Sequence, residues 1–310
     1  MIKKVLLSLF LVMGLVAVMP ALAQQTGAIS GTVVDPSGAV IPSAEVTVTN
    51  ERTGLKRVGL TNDVGFYTFP ELPYGLYTVS VSMSGFKTAS RTGIDLHVAE
   101  EKTVPIKMEI GQQSEVVTVT GGATEVNLRT GEVSNLIDGQ QMVELPLNGR
   151  SFVQLTLLVP GANIGDNAKP GFTGLLGGVD ISMSGSPANA NAWLVDSADN
   201  VDHGSGRTIL VYPSVDAIEE FKVQRNSYGA ENNAAGGAQI NLVTRGGTNA
   251  FHGSAYWFGR NDIFNANNFF LNRAGVTDKP KLRYNNFGYT IGGPVAKDKL
   301  FFFWSQEWRR

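Results

Sequence analysis

The C-terminal segment, residues 251–310, combines alternating polarity with 15 of the chain's 28 aromatic residues. In its central run, Phe287, Tyr289 and Ile291 share one face of an extended strand, and polar or small residues occupy the other face. Apolar residues directed outward, polar groups directed inward and rings near the strand ends are typical of transmembrane β-strands. Three runs are candidates for such strands: 251–260, 284–293 and 300–310. A soluble β-domain with an aromatic core is the alternative.

These runs predict a β-barrel that the sequence begins and does not complete. A transport barrel of about 22 strands with about 10 residues each needs more than roughly 200 residues before its loops are counted. We therefore expect residues 249–310 to form the first strands of an incomplete antiparallel transmembrane β-barrel. We also expect the chain to be a fragment of a longer protein, and not to form a closed pore as given.

The first residues have the organisation of an export signal. Lys3 and Lys4 precede an almost wholly apolar run, residues 5–18, and a small-x-small cleavage pattern ends at Ala23. The apolar run is shorter than the ~20 residues that a membrane-spanning helix needs, which disfavours a membrane anchor. We expect residues 1–23 to be a signal peptide, and the mature protein to leave the cytoplasm.

Composition excludes several functional classes. The net charge of −2 provides no basic face for nucleic acid. The absence of cysteine excludes disulfides, thiolate metal sites and a cysteine nucleophile. The three histidines are far apart, and the His-Glu-x-x-His, Walker-A and Gly-x-Ser-x-Gly motifs are missing. We therefore predict that the chain is not an enzyme and has no catalytic residue, metal site or cofactor.

Residues 24–111 have the pattern of short strands separated by turns. Residues 35–38, Asp-Pro-Ser-Gly, form a turn sequence, because proline presets φ and glycine accepts a positive φ. Apolar and polar side chains alternate in 77–83 and again in 104–110. Pro105 cannot donate to a ladder, so the last of these strands should lie at a sheet edge. About seven such strands without a helical stripe predict an all-β sandwich.

Motifs in this segment are more specific than its strand pattern. They are Ile29-Ser30-Gly31-Thr32-Val33, Tyr67-x-Phe69-x-x-Leu72-Pro73-x-Gly75-x-Tyr77 and Gly85-Phe86. Together they resemble the carboxypeptidase regulatory-like domain, a transthyretin-like sandwich often grouped with carbohydrate-binding-like folds. Zinc ligands and a catalytic glutamate are missing, so the resemblance implies no peptidase. It implies either a periplasmic accessory or sugar-binding module, or a structural spacer whose Tyr and Leu residues form the core.

Residues 112–122 form a short linker around a β-prone run. This run has high β propensity and contains neither glycine nor proline, and Gly121-Gly122 follows it. Such a segment can add itself as a strand to the sheet edge of another protein. It resembles the TonB box, the peptide segment of a receptor to which the inner-membrane energy-coupling protein TonB binds. The resemblance implies that TonB binds Glu115, Val116, Val117, Thr118, Val119 and Thr120. The alternative is that the run is an ordinary last strand of the sandwich.

Residues 123–248 mix helical and extended patterns. Leucine spacing after Arg150 predicts a helix that Pro160 ends, and a second helix is predicted over 216–221. Loops rich in glycine, serine, asparagine and aspartate lie between these elements. The mixture predicts an α+β domain with long irregular connections.

Three motifs from this region onwards occur in a fixed order. They are Leu145-Pro146-Leu147-Asn148-Gly149-Arg150, Asp216-Ala217-Ile218-Glu219-Glu220-Phe221 and Thr244-x-Gly246-Gly247-Thr248-Asn249-x-Phe251-His252-Gly253. Their order and spacing, and the later run 292–303, resemble Oar-like TonB-dependent receptors. The resemblance implies that 123–248 is the plug that fills the barrel lumen. Residues 193–198 depart from the family, which usually has Asp-Gly there, and this leaves the conformation of that loop open.

Two acidic groupings invite a functional interpretation. One offers oxygen ligands to a hard cation, but its spacing matches no EF-hand loop, so we interpret it as a solvated loop. Its members are Asp196, Asp199, Asn200, Asp202 and His203. The other is the pair Glu219 and Glu220, which on a helix point about 100° apart and cannot flank one bond. We expect this pair on a solvated face.

The resemblances imply an outer-membrane receptor of a Gram-negative bacterium, with the sandwich in the periplasm. Ligand would bind the outer face, and TonB, driven by the proton gradient, would rearrange the plug to admit a bulky nutrient. An oligosaccharide, a peptide or a metal chelate would suit this description. The alternative is a non-transporting carbohydrate-binding or adhesion protein built on the sandwich. That alternative gives no role to the box, the plug or the aromatic strands.

Overall fold

The computed structural model describes residues 26–112, 116–120, 131–165, 179–204, 208–226 and 236–310. These ranges form three mainly β units, which follow one another along the chain. Within them, none of the helices combines the length and the apolar character that crossing a membrane requires. The predicted signal peptide, residues 1–23, lies outside the described residues.

The first unit is a sandwich of two sheets. Its strands are β1 Thr26–Val34, β2 Glu45–Asn50, β3 Lys56–Leu60, β4 Phe66–Pro73, β5 Gly75–Ser82, β6 Thr88–Leu96, β7 Glu101–Thr103, β8 Ile106–Lys107 and β9 Val116–Thr120. One sheet has the order β3-β2-β5-β6-β9, and in the other β1 lies between β4 and the two short strands β7 and β8. Tyr77, Val79 and Val81 are fully buried between the sheets, which confirms the predicted alternation and the predicted sandwich.

Pro105 divides the strand that alternation predicts over 104–110. β7 and β8 both pair parallel with β1 at the sheet edge, and Pro105 lies between them. Proline has no N–H for the ladder, so the ladder stops there and resumes at Ile106. The predicted edge position is confirmed, whereas the predicted continuous strand is wrong.

The middle unit is built around a mixed five-stranded sheet. Its strands are β10 Val133–Asp138, β11 Ala162–Ile164, β12 Ile181–Met183, β13 Ala192–Val195, β14 Ala198–Asp199, β15 Ile218–Asn226 and β16 Gln239–Thr244. Its helices are α1 Gly139–Glu144 and the 3₁₀ turns Asn148–Arg150, Phe152–Leu158, Ala188–Ala190 and Val215–Ala217. The sheet order is β10-β15-β16-β13-β14, while β11 and β12 form a separate hairpin. Phe152, Trp193 and Phe221 are at most 1% exposed in its core.

The helix predicted over 216–221 is wrong. The chain makes only a 3₁₀ turn at Val215–Ala217 and then enters β15, an interior strand of the sheet. β15 is buried on both faces over most of its length, so its side chains do not show the alternation that marks a half-exposed strand. The helix predicted after Arg150 is present as the 3₁₀ segment Phe152–Leu158.

The third unit is an antiparallel sheet of three long strands. They are β17 His252–Asn261, β18 Arg283–Ala296 and β19 Leu300–Arg309. The loop between β17 and β18 holds the 3₁₀ turn Asp262–Phe264 and the short helix α2 Phe269–Arg273. β17 pairs with β18 in one continuous register, and β18 pairs with β19 with a single register shift between Pro294 and Ala296, so all three predicted C-terminal strands are confirmed.

Candidate partner-binding strand and interdomain contacts

The predicted box residues form the last strand of a sandwich sheet. β9 runs parallel to β6, with Ala89 opposite Val117 and Ser90 opposite Thr118. β-Branched residues throughout Val116–Thr120 suit a pleated strand, and no proline interrupts the ladder. Glu115 lies outside the described residues. Residues 116–120 are therefore a paired strand and not a free linker.

Only one edge of β9 is paired within the part of the chain that the structure describes. The sheet order ends at β9, and its outer edge faces no other strand of these residues. Val116 is 61% exposed at the start of this edge. The opposite edge of the same sheet is β3, which carries the exposed cations Lys56 and Arg57. The two edges therefore differ, because β9 contains no charged residue.

Glu220 joins the sandwich to the middle unit. Its carboxylate accepts a hydrogen bond from the backbone N–H of Val98 at 3.0 Å and contacts Nδ1 of His97 at 3.0 Å. Glu220 is 6% exposed, so the expected solvated face is wrong for this residue. The reason is that Glu219 and Glu220 lie on a strand, where consecutive side chains point to opposite faces.

Lys222 reinforces the same contact two residues further along β15. Its Nζ donates hydrogen bonds to the backbone oxygens of Val98 and Ala99 at 3.1 and 2.8 Å, and lies 3.0 Å from the carboxylate of Glu132. Lys222 is 6% exposed, so this ammonium ion needs the partners it has. The segment that directly follows β6 is thus bonded to a central strand of the middle unit.

The protonation of His97 depends on this interface. Burial lowers the pKa of His97, but the hydrogen bond to Glu220 and the negative charges of Glu220, Asp95 and Glu100 outweigh burial and raise it. On the other side of Lys222, burial raises the pKa of Glu132, and the charge and hydrogen bond of Lys222 outweigh that effect and lower it. The interface therefore favours the protonated form of His97, whereas contacts within the middle unit favour the ionised form of Glu132.

A second set of contacts lies beside the first. Arg52 of the sandwich donates to Glu219 at 2.8 Å, and Arg245 of the middle unit lies 3.3 Å from the same carboxylate. The hydroxyl of Tyr74 donates to the backbone oxygen of Thr244 at 2.9 Å. Burial and then the charge of Glu219 raise the pKa of Tyr74, which keeps this hydroxyl a donor. Tyr74, Val98 and Val243 form a small buried apolar cluster between the units.

Arg150 connects the middle unit to the C-terminal sheet. Its guanidinium forms an ion pair with Asp216, and both residues are less than 10% exposed. The same guanidinium lies 4.9 Å from the ring centre of Tyr256 and 4.1 Å from that of Phe258, both on β17. Tyr284 on β18 donates to the backbone oxygen of Gly149 at 3.3 Å. The motif that ends at Arg150 is thus a contact point between two units.

The face of the C-terminal sheet that contacts the middle unit carries hydroxyl and amide groups beside the rings of Tyr256 and Phe258. Ser305 lies 3.0 Å from Ser214, and Ser254 lies 3.4 Å from the carboxylate of Asp216. Asn286 and Thr290 on the same face are buried.

The opposite face of this sheet is apolar and exposed. Among its exposed members are Trp257, Tyr289, Ile291, Trp304 and Trp308, whose exposure ranges from 38% to 67%. Trp257, Phe287 and Trp308 follow one another across the three strands, and the rings of Phe287 and Trp308 stack with centres 5.4 Å apart. The predicted faces of β18 are confirmed, because Phe287, Tyr289 and Ile291 lie on the outer face while Asn286 and Thr290 are buried on the other.

The acidic loop residues 196–203 make separate local contacts and do not converge on one site. Asp196 accepts hydrogen bonds from the N–H and hydroxyl of Thr244, while Asp199 contacts His203 at 3.1 Å. Asn200 is buried and bonded to Val211 through both ends of its amide. Among the described residues, no group of three or more His, Cys, Asp or Glu side chains could hold a metal ion.

Sequence patterns alone missed the residues that join the units. His97 is more than a hundred positions from Glu220 and Lys222, and no sequence pattern links the two sides of the interface. Glu220 lies in a motif that carries the family resemblance, but that motif does not indicate its partner. Arg150 and Asp216 do lie within two of the motifs that carry the family resemblance. That signal marks both residues without indicating that they pair.

Comparison with known proteins follows the same division of the chain. Residues 28–109 match the family model of the carboxypeptidase regulatory-like domain, and residues 243–310 match that of an outer membrane beta barrel domain. The chain is 28% identical over 295 residues to the TonB-dependent transporter Oar of Myxococcus xanthus. This alignment covers 90% of the chain and 26% of Oar, so the chain spans about a quarter of its relative's length.

Similarity to solved structures is more limited. The siderophore receptor PirA from Acinetobacter baumannii is 22% identical, with a TM-score of 0.44, over 57% of this chain and 24% of that chain. Catechol 1,2-dioxygenase from an Acinetobacter species is 13% identical, with a TM-score of 0.26, over 34% of this chain and 60% of that chain.

Proposed function

We propose that this chain, an outer-membrane protein of a Gram-negative bacterium related to the TonB-dependent transporter Oar, contributes the periplasmic domain, the plug and the first wall strands of an energy-coupled receptor. In this proposal residues 24–111 form the body of the periplasmic sandwich, 112–122 the segment that carries the TonB box and adds β9 to a sandwich sheet, 123–248 the plug, and 249–310 the start of the barrel wall. The relative is a transporter, and the proposed activity requires no covalent chemistry.

The two faces of the C-terminal sheet carry this proposal. One face exposes a row of rings at Trp257, Phe287 and Trp308, as a lipid-facing surface requires. The other face binds the middle unit through polar contacts, among them Ser305 with Ser214. A strand in the wall of a plugged barrel needs these two faces, because one side contacts lipid and the other side contacts the plug.

The contacts of the middle unit support its role as a plug. Arg150 and Asp216 form a buried ion pair directly behind β17, where the rings of Tyr256 and Phe258 cover the guanidinium. The ion pair itself lies within the middle unit, and the contact of its guanidinium with the two rings of β17 joins the middle unit to the C-terminal sheet. A plug must be held in this manner until transport begins.

The connection between the box and the plug supports coupling by TonB. β9 leads along the chain to β10, which is an edge strand of the plug sheet and pairs only with β15 in the described part. An edge strand can leave a sheet by breaking one ladder, whereas an interior strand must break two. Tension on the box would therefore reach the plug at a strand that can separate, and a bulky nutrient such as an oligosaccharide, a peptide or a metal chelate could then pass.

Deletion of Glu115–Thr120 in the full-length gene product tests the proposal. We expect loss of energy-dependent uptake from a panel of labelled oligosaccharides, peptides and ferric chelates, with normal insertion into the outer membrane. The matched control replaces residues 112–114 by glycine and serine and leaves the six box residues intact. Unchanged uptake after the deletion would refute a role for the box.

Solubility of the full-length product provides a second, independent test. A barrel protein should need detergent for extraction from membranes and should change its mobility in gel electrophoresis on heating. A product that is freely water-soluble and lacks a heat-modifiable form would contradict the receptor proposal and favour a binding or adhesion protein built on the sandwich.

A further inference from the structure

We propose that TonB adds a strand to the outer edge of β9 while β9 stays paired with β6, so that the sandwich acts as an adaptor between TonB and the plug. This inference rests on the proposed function and extends it, because it specifies which edge TonB uses and what happens to the sandwich. The partner is an extended backbone segment of the energy-coupling protein, bound by β-augmentation.

The geometry of β9 provides the surface that such a partner needs. Backbone N–H and C=O groups of a strand alternate between its two edges, and pairing with β6 uses only one of them. The outer edge of Val116–Thr120 is the last of its sheet in the described part. Backbone hydrogen bonds supply affinity in β-augmentation, so a free edge of five residues is a sufficient template.

The two edges of this sheet are protected differently. Exposed edge strands are commonly shielded from pairing by charged side chains or proline. β3, at one edge, begins with the exposed residues Lys56 and Arg57. β9, at the other edge, has neither a charge nor a proline. The unshielded edge is the one formed by the predicted box.

Pairing with β6 also prepares β9 for binding. A disordered box must lose conformational freedom when TonB binds, whereas β9 already has an extended backbone. The sandwich thus lowers the entropic cost of the TonB complex. A box that first had to leave β6 would lose this benefit and would also leave the edge of β6 unpaired.

The contacts that follow β6 extend the adaptor to the plug. β6 ends at Leu96, and the next three residues are bonded to Glu220 and Lys222 of β15. The box is therefore connected to β15 by two routes, one along the chain through β10 and one across β6. Tension on a paired β9 would reach the same central strand by both routes.

Hydrogen exchange on the native full-length protein tests the edge assignment. The probe is the purified periplasmic domain of TonB, and the peptides to follow cover Thr88–Leu96 and Val116–Thr120. We expect TonB to slow exchange in the β9 peptide and to leave the β6 peptide protected. Faster exchange in β6 on addition of TonB would mean that β9 has left its partner, and this would overturn the inference.

A reversible disulfide between β6 and β9 provides the second test. The chain contains no cysteine of its own, so only the introduced thiols can be oxidised to a disulfide. Ser90→Cys with Thr118→Cys places two thiols at opposed positions of β6 and β9. Uptake by the oxidised form is compared with uptake by the same variant after reduction. We expect the two rates to be equal, and loss of uptake that reduction restores would overturn the inference.

A matched disulfide controls for the oxidant and for stiffening of the sandwich. Thr47→Cys with Ser80→Cys joins β2 to β5 at opposed positions and leaves β9 untouched. Its oxidised and reduced forms should transport equally.

Failure of the inference and failure of the proposed function give different results. If deletion of Glu115–Thr120 abolishes uptake and the disulfide between β6 and β9 also abolishes it, the box is functional and only the inference that β9 stays paired with β6 is wrong. If the deletion leaves uptake unchanged, or TonB does not bind the native protein, the inference and the proposed function are both wrong.

Discussion

The backbone conformation of two residues explains the loop in residues 193–198, whose conformation the sequence leaves open. The hairpin between β13 and β14 turns at Asp196 and Ser197, whose φ values are +48° and +68°. Two consecutive positive φ angles are typical of the tight turns that suit β-hairpins. A family that usually has Asp-Gly here fits the same turn, and the side chain of Asp196 holds it through Thr244.

Ser197→Gly should therefore stabilise the protein. Glycine adopts a positive φ without the steric cost that serine bears, and its greater freedom in the unfolded chain offsets part of the gain, which leaves about 0.5–1 kcal/mol. The urea midpoint of unfolding measures the effect. Ala198→Gly is the control, because this residue lies in β14 without a positive φ, and the change should destabilise by a similar amount. Destabilisation by Ser197→Gly would show that the serine side chain has a role of its own.

The ion pair of Arg150 and Asp216 should matter far more than the ion pairs at the sandwich. Asp216→Asn leaves a buried guanidinium without its counter-charge, which costs about 3–5 kcal/mol in comparable cases. Glu219→Gln is the control, because its partners Arg52 and Arg245 are 41% and 29% exposed and solvent screens each pair to at most about 1 kcal/mol. Equal losses of unfolding free energy in the two variants would contradict the assigned role of Arg150.

At the level of elements, half-exposed strands were predictable and buried strands were not. β18 places Tyr289 and Ile291 on an exposed face and Thr290 on a buried one, so the sequence alternates and the prediction succeeds. β15 is buried on both faces and includes Glu220 and Lys222, whose partners come from distant segments. A local pattern contains no information about those partners, and the run was therefore assigned to a helix.

The box strand illustrates a second limit of local patterns. High β propensity in Val116–Thr120 predicts an extended segment, which the structure confirms. The identity of its neighbour depends on the edge that β6 leaves free on the folded sandwich. Only the tertiary arrangement provides that information.

The outer face of β18 gives a prediction at the same level. Ile291→Lys places a charge on the proposed lipid-facing surface, and such changes cost about 2–4 kcal/mol near the bilayer midplane and about 0–1 kcal/mol near its interface. Val295→Lys is the matched control, because it is exposed close to the turn at the end of β18. Urea titration of the full-length protein in lipid vesicles should show the larger loss for Ile291→Lys. Equal losses would argue against a lipid-facing surface.

At the level of the whole molecule, the three units are joined by two interfaces of different chemistry. The middle unit and the C-terminal sheet meet through the guanidinium of Arg150, which is buried beneath the rings of β17, and through hydroxyl groups. The sandwich and the middle unit meet through charged side chains around a small apolar cluster, and among these charges Arg52 is 41% exposed. Partly exposed charges respond to pH and salt, and a buried pair responds much less. We therefore expect pH and salt to weaken the contact between the sandwich and the middle unit more than the contact between the middle unit and the C-terminal sheet.

Acidity should regulate the docking of the sandwich through His97. The pKa of His97 is raised in the docked state, so its stabilising contribution is fully present below its ordinary value of 6.5 and is lost as pH rises through the raised value. The charged groups around it are Glu220, Asp95, Glu100 and, beyond Glu220, Lys222. Carboxylates ordinarily titrate near ~4 and lysines near ~10, so histidine is the group expected to change between about pH 6 and pH 8.5.

Hydrogen exchange of residues 97–99 between about pH 6 and pH 8.5, corrected for the intrinsic effect of pH, measures this docking directly. Protection should fall as pH rises in the native protein. His97→Gln can still donate to Glu220 but cannot titrate, so it should show less protection at the acidic end and little dependence on pH. His203→Gln removes an exposed histidine outside the interface and should keep the native profile. A native profile in His97→Gln would mean that the docking does not depend on this proton, and that Glu220 and Lys222 hold the sandwich through the backbone of Val98 and Ala99 alone.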